Sequence, residues 1–182
     1  DPVTITLHLL LALIIIGLII YSSIQSYYII EGNFEKDSVY PEHIKYIILG
    51  IMVCVVVEII IGTEIRGGLD ISRKENPLIE GVILLKMLGP FKYIHTILGV
   101  ILLGLVFYLR KILQNINSFP SDYMIYAVNF MLIIIGVQIV LGESLVLFEV
   151  KPLVQLFHMW FSSLLLGLSI VQYTFWKISN SV

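Results

Sequence analysis

Three of the four histidines in this chain, His8, His95 and His158, stand at the head of one repeated motif. It reads His8-Leu-Leu-Leu-Ala12 with Gly17-Leu18 following, His95-Thr-Ile-Leu-Gly99 with Gly104-Leu105, and His158-Met-Trp-Phe-Ser162 with Gly167-Leu168. Residues four apart share a helix face, so a small side chain at +4 leaves room beside each imidazole for something wide and flat. The glycine at +9 faces elsewhere and is expected to serve close helix packing. An imidazole in an apolar helix either bonds a backbone carbonyl or ligates a metal, and the matched spacing of three favours ligation. Two histidines on different helices at one height can hold haem iron from both sides, with the apolar shell and nearby donors tuning it. His43 lies in a polar stretch and is read as solvated.

A second repeat pairs Val57-Glu58-Ile59-Ile60-Ile61-Gly62 with Val137-Gln138-Ile139-Val140-Leu141-Gly142. Glu58 is a candidate proton relay or partner of a ligand-bearing histidine; the bland alternative is a neutral acid bonded to a neighbouring helix. Gln138 is its counterpart. Arg66 follows the first of these glycines by four residues and suits either a bidentate carboxylate such as a haem propionate or a lipid headgroup. Gly67-Gly68 is too short to cradle a phosphate, and neither a metalloprotease HExxH helix nor a nucleophile elbow occurs.

The elements that must position these groups follow from composition. Of 182 residues, 58% are hydrophobic and 13% charged, with a mean hydropathy of +0.98. Soluble domains run near ~45–50% apolar and ~25% charged, so a soluble or disordered chain is excluded, and a net charge of −2 offers no nucleic-acid surface. The single Cys54 excludes a disulfide within the chain. Five segments reach the ~20 residues needed to span a bilayer: Ile5–Ile24, Ile44–Ile65, Phe91–Tyr108, Tyr123–Gly142 and Pro152–Trp176. Their continuous apolar character predicts helices and not barrel strands. The first, third and fifth start from one face of the membrane, which puts the three histidines at one depth. The second and fourth end there, bringing Glu58, Gln138 and Arg66 to the same level. Basic residues do not orient the chain, with Arg66, Arg73, Lys74, Lys86, Lys92 and Lys151 on the histidine face against Lys36, Lys45, Arg110, Lys111 and Lys177. Within the long connection from Arg66 to Pro90, Leu78–Leu88 is apolar but too short to span. It predicts a helix lying on the histidine face, as a binding element or as a plain surface linker.

At these residues the chain resembles the haem A synthase family, membrane enzymes that oxidise the C8 methyl of haem O to a formyl group. The resemblance rests on Leu7-His8-Leu9, on Gly62-Thr63-Glu64-Ile65-Arg66 as a Gly-x-x-(Val/Ile)-Arg helix exit, on His95, on Gln138 to Gly142, and on His158 after a proline-containing turn. The family has eight helices in two four-helix halves, each half contributing a histidine pair. The resemblance therefore implies that the chain corresponds to the fourth to eighth helices. Residues 1–30 would be the first transmembrane helix, the remnant of an N-terminal half-bundle, and residues 44–177 a C-terminal four-helix haem-binding bundle. This all-α membrane fold would hold haem b between His95 and His158, while His8 would belong to the site of the substrate, haem O, and of its product, haem A. The chain alone is then expected to be catalytically incomplete, with further N-terminal helices and haem O synthase as partners and a homo-oligomer as a further expectation. Its place would be the bacterial inner membrane with the histidine face outside the cytoplasm, serving cytochrome oxidase assembly. Thr96 stands where the family usually has arginine, the family's occasional cysteine pair is absent, and Glu58 is not at the position of the family's catalytic glutamate. Two other functions fit the residues alone: a bis-histidine cytochrome b subunit exchanging electrons with quinone, and a haem-free proton-coupled transporter using Glu58 and the histidines.

Overall fold

The computed structural model describes residues 2–31, 40–79, 81–87, 89–116, 122–148 and 151–180. Every element among them is helical: α1 Pro2–Glu31, α2 Glu42–Glu75, α3 Gly81–Met87, α4 Phe91–Gln114, α5 Asp122–Leu147 and α6 Pro152–Asn180. All but α3 are long and apolar enough to cross a membrane, so the chain is an all-α integral membrane protein. The five expected spans lie inside these helices, but the helices run further. α2 continues past Ile65 to Glu75 because Arg66, Arg73 and Lys74 are good helix residues and Leu69 extends the inward stripe. Each span is uninterrupted, so the broken helices that would favour a transporter are absent from the described residues. Lys36 and most of the two connections on the side opposite the histidines, residues 32–39 and 117–121, lie outside the described residues.

Four helices form a ring in which α2 packs on α4, α4 on α5, α5 on α6 and α6 back on α2. Opposite corners are therefore α4 and α6, and α2 and α5. α1 sits outside this ring, against α6 and α2. The core is built by Ile44, Ile48, Ile51 and Val55 of α2, Leu102, Val106, Leu109 and Leu113 of α4, Met124, Val128 and Met131 of α5, and Leu165 with Leu166 of α6. Their three- and four-residue spacing makes one stripe per helix. All of these lie away from the histidine face. Toward that face the packing changes: residues 60–68, 91–101, 136–148 and 151–164 contain no buried residue.

Polar bonds fix the other end. The Asn180 side chain accepts from the Tyr40 amide at 3.0 Å and donates to the Tyr40 carbonyl at 2.7 Å, tying the end of α6 to the start of α2. Fully buried Gln172 donates to the Met124 carbonyl at 2.7 Å. Lys45 lies over the Trp176 ring, and Lys177 donates to the Tyr21 hydroxyl. Such aromatic and basic pairs suit a membrane–water boundary.

The short helix expected within Leu78–Leu88 is present as α3. It is pinned by Leu84, which is buried against Leu69 of α2, with Ile65 and Leu145 alongside. Ile83 and Met87 stay exposed and Leu78 is 98% exposed, as in a segment resting on lipid. Gly89, at φ 71°, allows the turn into α4, which begins after Pro90.

Candidate functional site

His95 and His158, placed on the opposite corners α4 and α6, meet across the bundle. Their ring centres are 6.1 Å apart and their planes 64° from parallel. A metal–imidazole nitrogen bond is ~2.0–2.1 Å, and adding about 1.1 Å from nitrogen to ring centre on each side gives roughly 6 Å between two axial imidazoles. The pair thus has the separation that one shared iron requires. An imidazole held through one nitrogen could turn about that bond, so the interplanar angle would present no conflict.

The preceding helix bounds each ring in the same way. A methyl group on Gly62 would touch Cε1 of His95 at 3.7 Å, and one on Gly142 would touch Cε1 of His158 at the same distance. The sequence repeat is therefore a repeat in space, with α2–α4 matching α5–α6. One expectation needs correcting here. The room at +4 beside His95 and His158 is taken by protein: Glu58 Oε1 lies 3.8 Å from where a Gly99 Cβ would be, and Gln138 bonds the Ser162 hydroxyl. Beside these rings, the small residues that lie alongside are instead the glycines of the partner helix, Gly62 and Gly142.

Of the intramembrane polar groups, the Glu58 carboxylate pairs with His95 Nδ1. Gln138 donates to the His158 carbonyl at 2.9 Å, a carbonyl that also accepts from Ser162 at 3.0 Å. Glu58 Oε1, Gln138 Oε1 and the Nδ1 atoms of both His95 and His158 are buried without a hydrogen-bond partner among the described residues, His95 Nδ1 having only the ion-pair approach of Glu58. Orphaned buried polar atoms cost ~1–3 kcal/mol each, which marks this layer as built for something other than stability. Arg66 is exposed at the rim, one turn beyond Gly62, and donates from Nη1 to Met159 Sδ at 2.8 Å. It therefore stands over the residue that follows His158.

His8 is not part of this cluster. It is exposed on α1, outside the ring. What fixes α1 is a polar contact and a packing seam. Thr6 donates to Thr63 and Glu64, each at 3.3 Å. The seam is reciprocal: Gly17 faces Ile170 and Gly167 faces Ile20. The +9 glycines of α1 and α6 thus pack helices as expected, whereas Gly104 touches nothing. Met159, Ser162 and Thr63 receive no contact role from the sequence. Ser162 alone had a signal there, as the +4 member of the motif. At the far end, an aromatic cleft lined by Ser23, Tyr27, Tyr28, Tyr123 and Phe175 is remote from the histidines.

Among the described residues no group of three or more His, Cys, Asp and Glu could hold a metal ion. A haem needs only two such ligands from the protein, because its macrocycle supplies the rest. The residues present fit it: two imidazoles at the right spacing, small residues beside them, orphaned polar atoms around them and a cation at the rim. A family model described as cytochrome oxidase assembly protein (COX15-CtaA) matches residues 1–170. Comparison with curated proteins and with solved structures gives no match.

Proposed function

The chain belongs to the cytochrome oxidase assembly family of haem A synthases, and from that premise we propose that residues 44–177 form its haem b-binding bundle. His95 and His158 would be the residues that hold its iron. The observation that carries this is their approach to 6.1 Å from opposite corners of the ring, each flanked by a glycine of the preceding helix. Held by two imidazoles, the iron would supply one-electron chemistry. The protein's part is to fix both rings, keep water away with the apolar wall of the spans, and bind a propionate through Arg66.

Membership gives the chain a role in cytochrome oxidase assembly and haem A biosynthesis. In our reading the reaction served is oxidation of the haem O C8 methyl to formyl, with His8 on the substrate side. Residues 1–30 then belong to a second half-bundle. The histidine face lies outside the cytoplasm of a bacterial inner membrane. Two observations support separate haem sites: His8 is exposed, and it does not join the other two histidines.

The test is spectroscopic. Protein purified with haem supplied is expected to show a six-coordinate low-spin b-type spectrum, lost in His95→Ala and in His158→Ala. A colourless wild type would refute the haem b assignment. Co-expression of the intact gene with a haem O producer is expected to yield haem A in extracted pigments. Its repeated absence, with haem b retained, would refute the C8 reaction alone.

A further inference from the structure

Resting on the haem reading above, we propose that Glu58 is a positioning residue for His95, so that the two ligand histidines are held inequivalently. The internal repeat puts Glu58 and Gln138 on the same rung, one turn before the glycines that lie alongside the two rings. The two side chains are nevertheless used differently. The Glu58 carboxylate meets Nδ1 of His95. Gln138 turns its amide to the His158 carbonyl and the Ser162 hydroxyl, and His158 Nδ1 is buried with no partner among the described residues.

Side-chain chemistry accounts for the divergence. The Gln138 amide nitrogen is a donor and finds the carbonyl that α6 offers. The Glu58 side chain carries no N–H to give to a backbone carbonyl, and its carboxyl group lies against the ring nitrogen of His95 instead. The +4 residues agree. Gly99 has no side chain, so Glu58 can lie close to α4, with Oε1 3.8 Å from where a Cβ would be. Ser162 in the equivalent place supplies a hydroxyl that engages Gln138.

The consequence is specific to one ligand. A carboxylate on Nδ1 holds the proton there and leaves the Nε2 lone pair as the metal donor. It also raises the basicity of that donor, the usual effect of a carboxylate behind a ligating histidine. Glu58 touches the ligand and not the iron, so its effect is on tautomer, ring orientation and donor strength. A stronger imidazole donor stabilises the ferric state.

The experiment uses the whole chain in detergent, as wild type, Glu58→Gln and Glu58→Leu, with haem b as the added ligand. Glu58→Gln restores the residue that the repeat carries at 138, so it is expected to fold and keep a six-coordinate spectrum. Its midpoint potential should rise and its ferric electron-paramagnetic-resonance g-values should move. Glu58→Leu should lose about 10- to 100-fold in haem affinity. Nitrogen-15 shifts of the metal-free protein should show His95 as the Nδ1–H tautomer in wild type and as a mixture in Glu58→Leu. If haem-loaded Glu58→Gln matches wild type in potential and g-values, the inference is overturned while the haem reading stands. A wild type that takes up no haem overturns both.

Discussion

Gly17, Gly104 and Gly167 occupy the same place in the repeated motif, yet the structure gives each a different surrounding, and alanine should not act alike at the three positions. A Cβ at Gly104 meets nothing within 4 Å. Gly104→Ala should therefore realise most of the ~0.8–1.0 kcal/mol by which alanine exceeds glycine in a helix, raising the melting temperature by about 2–4 °C. A Cβ at Gly17 would stand 2.8 Å from Cδ1 of Ile170. Carbon pairs rest at ~3.5–4.0 Å, so the contact is short by roughly 0.7–1.2 Å. Cδ1 is the far end of a flexible side chain and can swing aside, so the cost falls at the low end of the ~1–3 kcal/mol of overpacking, and set against the helix gain Gly17→Ala should lose about 0–1 kcal/mol net. At Gly167 the distance is 3.4 Å to Cδ1 of Ile20, and the two effects should nearly cancel. The Gly17 cost sits on one atom, so Ile170→Val, which removes Cδ1, should rescue Gly17→Ala with a coupling of about 1 kcal/mol. The assay is equilibrium unfolding of the four single variants and the Gly17–Ile170 double variant in one mixed-micelle system. Gly17→Ala as stabilising as Gly104→Ala, and additive with Ile170→Val, would refute the α1–α6 seam.

Two further outcomes are expected. Gln172→Met removes one 2.7 Å bond to the Met124 carbonyl together with a buried acceptor, Oε1, that has no partner among the described residues. Losing both should change stability by less than about 1 kcal/mol, measured by the same unfolding assay, and a loss above about 3 kcal/mol would show an undetected partner for Oε1. Leu84→Ala empties the contact that pins α3 to Leu69. Leucine truncations in cores cost ~2–5 kcal/mol, and here the cost should stay local: protease cleavage between residues 78 and 90 should rise while the unfolding midpoint of the bundle holds.

The number of spans was legible because each contains a long, predominantly apolar run, and for the same reason the packing was not. Leu and Ile face lipid and core alike. Nothing in Leu11, Ile14 and Ile15 tells a reader that they are exposed while Leu13 beside them is buried. In a bilayer such choices follow from van der Waals fit, which composition does not record. Polar residues behave otherwise. Burying one in lipid is costly, so each has a reason to be where it is. His95, His158, Glu58, Gln138 and Arg66 could be gathered from spacing alone, and the structure does bring them to one end of the bundle. Two things escaped. One was how the +4 positions are filled, since a glycine and a serine read simply as small. The other was that α2 runs on to Glu75, since charges after Ile65 mark a membrane exit equally well with or without a helix.

The reciprocal seam also explains why the third histidine stands apart. Gly17 meets Ile170 and Gly167 meets Ile20. In each case the +9 glycine of one motif touches the isoleucine three residues further along in the other. Two parallel helices joined by such an exchange are related by a local twofold axis running between them. His8 and His158 head the two motifs, so the same axis relates them. It keeps them at one depth while reversing the direction each faces. His158 looks into the ring of α2, α4, α5 and α6, toward His95. His8 must then look away from that ring, and it is exposed. Equal spacing in sequence therefore leads to two different placements: a pair facing each other within one bundle, and one histidine exposed on α1 outside it.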